Sequence, residues 1–225
     1  MNEWILEFFG IQPAALGEAA VDTLYMVGAA LVLGTILAVP MAVGLVLWRP
    51  DGIKAHKLGY DALNFFVNIA RSLPFIILMV VLMPLTRAIV GTRIGTTAAL
   101  VPLTLYIAPF IARLFESAIL DVPKGIVEAA QSMGASTWQI IRHFLLPEAR
   151  PSIILATTTG TVALIGATAM AGVIGAGGVG DLALTYGYQA FNTPLMFLTV
   201  VVLIIFVQGI QSLGNALARR ARNRA

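Results

Sequence analysis

Five long apolar stretches, separated by short charged or glycine-rich loops, decide the fold class of this chain. A helix needs about 20 apolar residues to cross the ~30 Å hydrocarbon core of a bilayer. Inside that core every backbone N–H and C=O must be satisfied by the chain itself, which leaves helices and closed barrels. The stretches run roughly over 21–48, 62–85, 94–115, 152–175 and 194–217. The second contains Arg71, Pro74 and Pro84, and its strongly apolar part begins only after Arg71. The third carries Pro102 and Pro109, where kinks are expected. The expected fold is all-α: a polytopic membrane protein with five transmembrane helices in a single transmembrane domain over 1–225.

Composition excludes the main alternative. The chain is 59% hydrophobic and 11% charged, whereas soluble domains carry about 25% charged residues. It lacks the polar surface to stay dispersed in water. With no cysteine it has no disulfide, thiolate metal site or cysteine nucleophile. The first twenty residues hold Glu3, Glu7 and Glu18 but no Lys or Arg, the opposite of a basic signal-peptide start.

The net charge of +3 matters less than its distribution. Arg49, Lys54 and Lys57 follow the first stretch, Lys124, Arg142 and Arg150 follow the third, and Arg219, Arg220, Arg222 and Arg224 end the chain. The opposite side holds only Arg87 and Arg93. By the positive-inside rule the N-terminus lies outside and the C-terminus in the cytoplasm. Basic residues in short loops suit membrane topology and not nucleic-acid binding.

Between the third and fourth stretches lies an amphipathic segment, 122–146. Ile126, Val127, Ala130 and Met133 recur at helical spacing, and after Gly134 so do Trp138, Ile141, Phe144 and Leu145. Pro123 suits a first helical turn, Gly134 a left-handed helix end, and Pro147 is expected to stop the second helix. A helical hairpin outside the membrane results. It could rest on lipid headgroups, but Lys124, Arg142 and Arg150 are offset by Asp121, Glu128 and Glu148. Lipid-binding helices are enriched in Lys and Arg on the polar face, so a protein partner is the better reading.

The run Glu128-Ala129-Ala130, Gly134, Phe144, Leu146-Pro147 resembles the EAA loop of ATP-binding-cassette importer permeases, with Phe144 where the family has Ile. Arg71-Ser72-Leu73-Pro74 and the 175–180 glycine run resemble the same family, as does most of the chain. Within it, the five spans, 108–113 and Tyr186-Gly187-Tyr188 are most similar to methionine-importer permeases; phosphonate and betaine permeases share the EAA and glycine-rich features. The resemblance implies a homodimer in the bacterial inner membrane, with a coupling loop over about 121–150. Each hairpin would sit on a separate cytoplasmic ATPase, and an extracytoplasmic binding protein would deliver substrate. It also implies coupling roles for Glu128, Ala129, Ala130, Gly134, Phe144, Leu146 and Pro147. ATP would be bound by the partner, with no cofactor, metal or catalytic residue in this chain.

Other residues leave two readings open. Gly160, Gly166, Ala167, Ala169, Ala171 and Gly172 allow close helix packing. The same stretch carries Thr157, Thr158, Thr159, Thr161 and Thr168, whose hydroxyls suit a polar route or bond back to their own helix. Thr168 and Met170 are the candidates for lining a translocation pathway. Arg71 is equally a functional charge and a structural one. Arg113 and Glu116 stand at i, i+3 and are expected to pair. His56 and His143 read as solvated loop residues. Gly175-x-Gly177-x-x-Gly180 matches a phosphate-binding spacing, but it follows an apolar stretch on the outer side and no P-loop lysine follows. It reads instead as a flexible break near the external mouth of the pathway.

Two other function classes are disfavoured. A membrane enzyme needs a cluster of reactive side chains at one depth, and the stretches hold almost none. A self-sufficient secondary carrier generally uses intramembrane carboxylates and inverted repeats. Without a nucleotide-binding motif, active transport by this chain draws its energy from a partner.

Overall fold

The computed structural model describes residues 9–223, so Glu3, Glu7 and Arg224 lie outside the described residues. Among the described residues there is no strand. We number the main helices α1 Pro13–Trp48, α2 Lys57–Ser72, α3 Phe75–Val81, α4 Met83–Val90, α5 Thr96–Leu120, α6 Lys124–Ser132, α7 Thr137–Ile174 and α8 Thr193–Arg222. A short helical segment over 179–189 precedes α8. Four helices (α1, α5, α7 and α8) are each long and apolar enough to cross a membrane, and α2 with α3 reach that length and hydropathy only as a bent pair, a broken fifth span or a re-entrant loop.

The second apolar stretch is therefore not one helix. It divides at Leu73-Pro74 and again at Leu82. Pro74 has no N–H to donate and disfavours helical geometry at Leu73. The turn at Pro74 is closed by the Ile77 and Leu78 N–H groups, which both reach its carbonyl. In contrast, α5 runs unbroken through Pro102 and Pro109.

The expected stop at Pro147 does not occur either. Thr137–Gln139, Ile140–Leu145 and Leu146–Ala171 form one continuous helix, and Ile140–Leu145 is a π-helical turn. There the Leu146 N–H donates to the carbonyl of Ile141, five residues back. The widened turn carries an extra residue just before the proline ring, where a tight α-turn would clash. The second arm of the hairpin is thus the start of a spanning helix.

Two compact units make up the chain. The first takes in 9–34, Leu73–Ile107 and Thr161–Ile210. Its small core joins Ala19 on α1 to Val179 and Leu182, with Val202, Leu203 and Phe206 of α8 packed on them. The Val179 N–H donates to the Thr23 hydroxyl at 2.9 Å. Phe75 meets Tyr106 edge-on with ring centroids 5.2 Å apart. The glycine run sits here and is close-packed, not loose: Ala176, Val179 and Gly180 are buried, and a Cβ on Gly180 would overlap Ala169.

The second unit takes in Thr35–Ser72, Ala108–Gly160 and 211–223. Its core is Val46, Ile119, Val122, Ala130, Ile140, Ile141, Leu145 and Ala149. This cluster joins the ends of α1 and α5 to both arms of the hairpin. Burying each large aliphatic side chain contributes about 1.5–3 kcal/mol.

Candidate functional site

The hairpin is built by local rules. Its first arm, α6, starts after Pro123 and ends in a left-handed turn, with Gly134 at φ +76°. The Ala135 N–H donates to Ala130 O at 3.1 Å and the Gly134 N–H to Gln131 O at 2.9 Å. These are the two bonds of a Schellman motif, which satisfies the last carbonyls of the helix. Ala135 and Ala130 both pack in the cluster beneath.

The second arm opens with a capping box. The Ser136 N–H donates to Gln139 Oε1 at 2.8 Å, and the Gln139 N–H donates to Ser136 Oγ at 3.4 Å. Two otherwise orphaned donors are satisfied reciprocally. The signal, Ser-x-x-Gln before an apolar run, was present in the sequence but does not figure in the pattern read above.

The seven expected coupling residues divide by direction. Ala130 is fully buried, and Phe144 and Leu146 pack against the same cluster. Phe144 therefore fills an apolar position inside this chain. Glu128, Ala129 and Gly134 are exposed, and a Cβ on Gly134 would have nothing within 4 Å. Pro147 is half-buried. Met133 and Trp138, which fall on the helical apolar period of the hairpin, are 71% and 64% exposed. Small side chains and two large apolar ones thus stand open on either side of the turn.

The base of the hairpin is clasped by the loop after α1. Asp51 accepts from Arg49 Nε at 3.0 Å and lies 3.9 Å from Lys124 Nζ. A hydrogen bond from its own backbone N–H, then the Arg49 guanidinium and the Lys124 charge, hold the Asp51 carboxyl below its ordinary pKa. Beside the clasp lies a cleft of about 350 Å³ between this loop and α6, with Glu128 and Gln131 on its wall. His56, expected to be simply solvated, caps α2: its Nδ1 accepts the Gly59 N–H at 2.9 Å.

At the far end of α5 in this unit, Arg113 donates to Glu116 Oε2, Asn64 Oδ1 and Asn68 Oδ1 at 2.6, 2.6 and 2.9 Å. The expected i, i+3 pair forms, and two asparagines of α2 that the sequence reading passed over complete it. Arg71 is exposed, with its guanidinium carbon 6.0 Å from the centroid of the Phe110 ring.

The pathway candidates are not brought together. Thr168 is buried and its hydroxyl donates to Ile165 O of its own helix at 2.7 Å, whereas Met170 is 46% exposed. Thr157, Thr158 and Thr159 likewise donate to carbonyls four residues back. Among the described residues no group of three or more His, Asp or Glu is placed to hold a metal.

Residues 30–223 match the family described as binding-protein-dependent transport system inner membrane component. The probable D-methionine transport system permease protein MetI of Vibrio cholerae is 49% identical over 98% of this chain and 98% of its own length. The methionine import system permease protein MetP of Bacillus subtilis is 44% identical over 76% of this chain and 77% of its own. A solved structure of the MetNI methionine ABC transporter, in inward-facing form, superposes with TM-score 0.91 at 41% identity, covering 98% of this chain and 99% of that one. An amino acid ABC transporter shares the fold at TM-score 0.78 and 16% identity. This chain belongs to the family of inner-membrane components of binding-protein-dependent transport systems.

Proposed function

We propose that this chain is the permease subunit of an ATP-driven methionine importer. Two copies form the translocation pathway as one transmembrane domain each, and a separate cytoplasmic ATPase binds and hydrolyses ATP. An extracytoplasmic binding protein delivers the substrate. The observation that carries the reading is near-complete coverage at 49% identity with a relative named for D-methionine transport. The positive-inside bias supports an outside N-terminus and a cytoplasmic C-terminus, which puts the hairpin on the ATPase side.

In this reading Glu128, Ala129 and Gly134, with Met133 and Trp138 beside them, form the docking ledge. Ala130, Phe144, Leu146 and Pro147 act from beneath by holding that ledge to α5 and α7. ATP-driven closure of the ATPases moves the ledge, the shared cluster carries the motion into the spans, and the pathway switches sides. Thr168 and Met170 remain the proposed pathway residues. Rigid backing is what the role requires, because a loose ledge would absorb the motion.

The test is co-expression with the candidate ATPase, purification by a tag on this chain, and ATPase assay with and without methionine-loaded binding protein. Co-purification with stimulated hydrolysis is expected. Co-purification without stimulation overturns methionine as the substrate, and failure to co-purify any ATPase overturns the permease role.

A further inference from the structure

A groove of about 540 Å³ lies between α7 and the end of α8. Its wall is apolar, from Pro147, Ile154 and Leu217, and its polar groups are Arg150, Arg220 and Glu148. Both arginines are exposed, and among the described residues no ion pair engages either of them. They stand where apolar helix gives way to charge: the fourth apolar stretch begins at Ser152, and the fifth ends at Leu217 before Arg219. By composition, those are the positions at which spanning helices would leave the hydrocarbon.

We infer that this groove binds the headgroup of an anionic glycerophospholipid. Guanidinium forks match phosphate oxygens and stay charged at any physiological pH. Basic pockets between spanning helices at the membrane surface hold lipid headgroups, and the surface potential of an anionic leaflet concentrates them there. The apolar wall of Ile154 and Leu217 singles out a lipid over a free phosphate, because only a lipid brings an acyl chain to cover it. Two guanidiniums against one carboxylate leave a single positive charge, the complement of a phosphodiester. Bound there, the lipid would bridge the hairpin end of α7 to the C-terminal end of α8.

The test uses the full-length chain in nanodiscs of phosphatidylglycerol mixed equally with phosphatidylcholine, released into native mass spectrometry. The wild type is expected to retain phosphatidylglycerol at least about fivefold over phosphatidylcholine. R150Q/R220Q should lose that preference, whereas R219Q/R222Q, with the same charge removed outside the groove, should keep it. Equal retention of both lipids by the wild type overturns the inference, as does undiminished preference in R150Q/R220Q or equal loss in R219Q/R222Q. Excess inorganic phosphate should not displace the lipid; displacement would assign the site to free phosphate. If the double variant does not fold, R150Q and R220Q are measured singly, and preference unchanged in both overturns it equally.

Discussion

Arg113 on α5 donates to Asn64 on α2 at 2.6 Å, across 49 residues of sequence. The same guanidinium holds Glu116, which is 3% exposed. A carboxylate so buried is tolerable only while paired, and removing one partner of such a pair costs about 3–5 kcal/mol. Arg113→Met should therefore lower the melting temperature of the purified protein sharply. Arg113→Met with Glu116→Gln should recover most of it, since the uncompensated charge is then gone. A double variant as unstable as the single would mean that Arg113 acts through the asparagines, not the carboxylate.

At Gly134 the backbone, not space, is the constraint. Its φ is +76° and a Cβ would meet nothing within 4 Å. Gly134→Ala should cost only about 1–2 kcal/mol, the left-handed penalty. Gly134→Trp carries the same backbone cost but adds bulk to the exposed ledge, so it should uncouple ATP hydrolysis from transport at nearly the same melting temperature. Normal methionine uptake by Gly134→Trp would remove this turn from the docking surface.

The Asp51 clasp should be sensitive to pH and salt. Its folded pKa is lowered, so its contribution is present above the ordinary carboxylate range and is lost as pH falls through the folded value. At neutral pH Asp51→Asn should speed hydrogen exchange in α6, and wild type and variant should converge in acid. High salt should shrink the difference as well, because both partners are open to solvent. Identical α6 exchange in the two proteins at neutral pH would show the clasp to be idle.

Much of this architecture was legible as apolar runs. The first, third and fifth stretches correspond to α1, α5 and α8, because long unbroken hydrophobicity has few other outcomes in a chain this poor in charge. Punctuation was less legible. Pro74 breaks its helix, whereas Pro102, Pro109 and Pro147 do not. Pro147 is preceded by a widened turn, 140–145, whereas α5 stays α-helical through Pro102 and Pro109, and spacing alone does not carry that difference. The hairpin was visible by its period, but the period does not tell which apolar residues face inward. Met133 and Trp138 lie next to the turn, where the Schellman geometry and the cap at Ser136 redirect the chain, and both stand exposed. The clasp at Asp51 and the ring of Asn64, Asn68 and Arg113 join residues far apart in sequence and left no local signature.

Trp138 and Ile140 are two residues apart and should answer in opposite ways. Ile140 is 1% exposed at the centre of the cluster that supports both arms. Ile140→Ala removes buried methyl groups and leaves a cavity, at a cost of about 2–5 kcal/mol. Trp138 is 64% exposed and contributes little to that core. Trp138→Ser should leave the melting temperature within about 0.5 kcal/mol of wild type in stability terms. If the ledge is the docking surface, Trp138→Ser should nevertheless weaken ATPase co-purification, since a large exposed aromatic is the kind of residue that anchors an interface. Ile140→Ala should weaken it only to the extent that the hairpin unfolds, and cooling should restore it. Full ATPase retention by Trp138→Ser would move the docking surface away from the turn, towards Glu128 and the cleft beside Asp51.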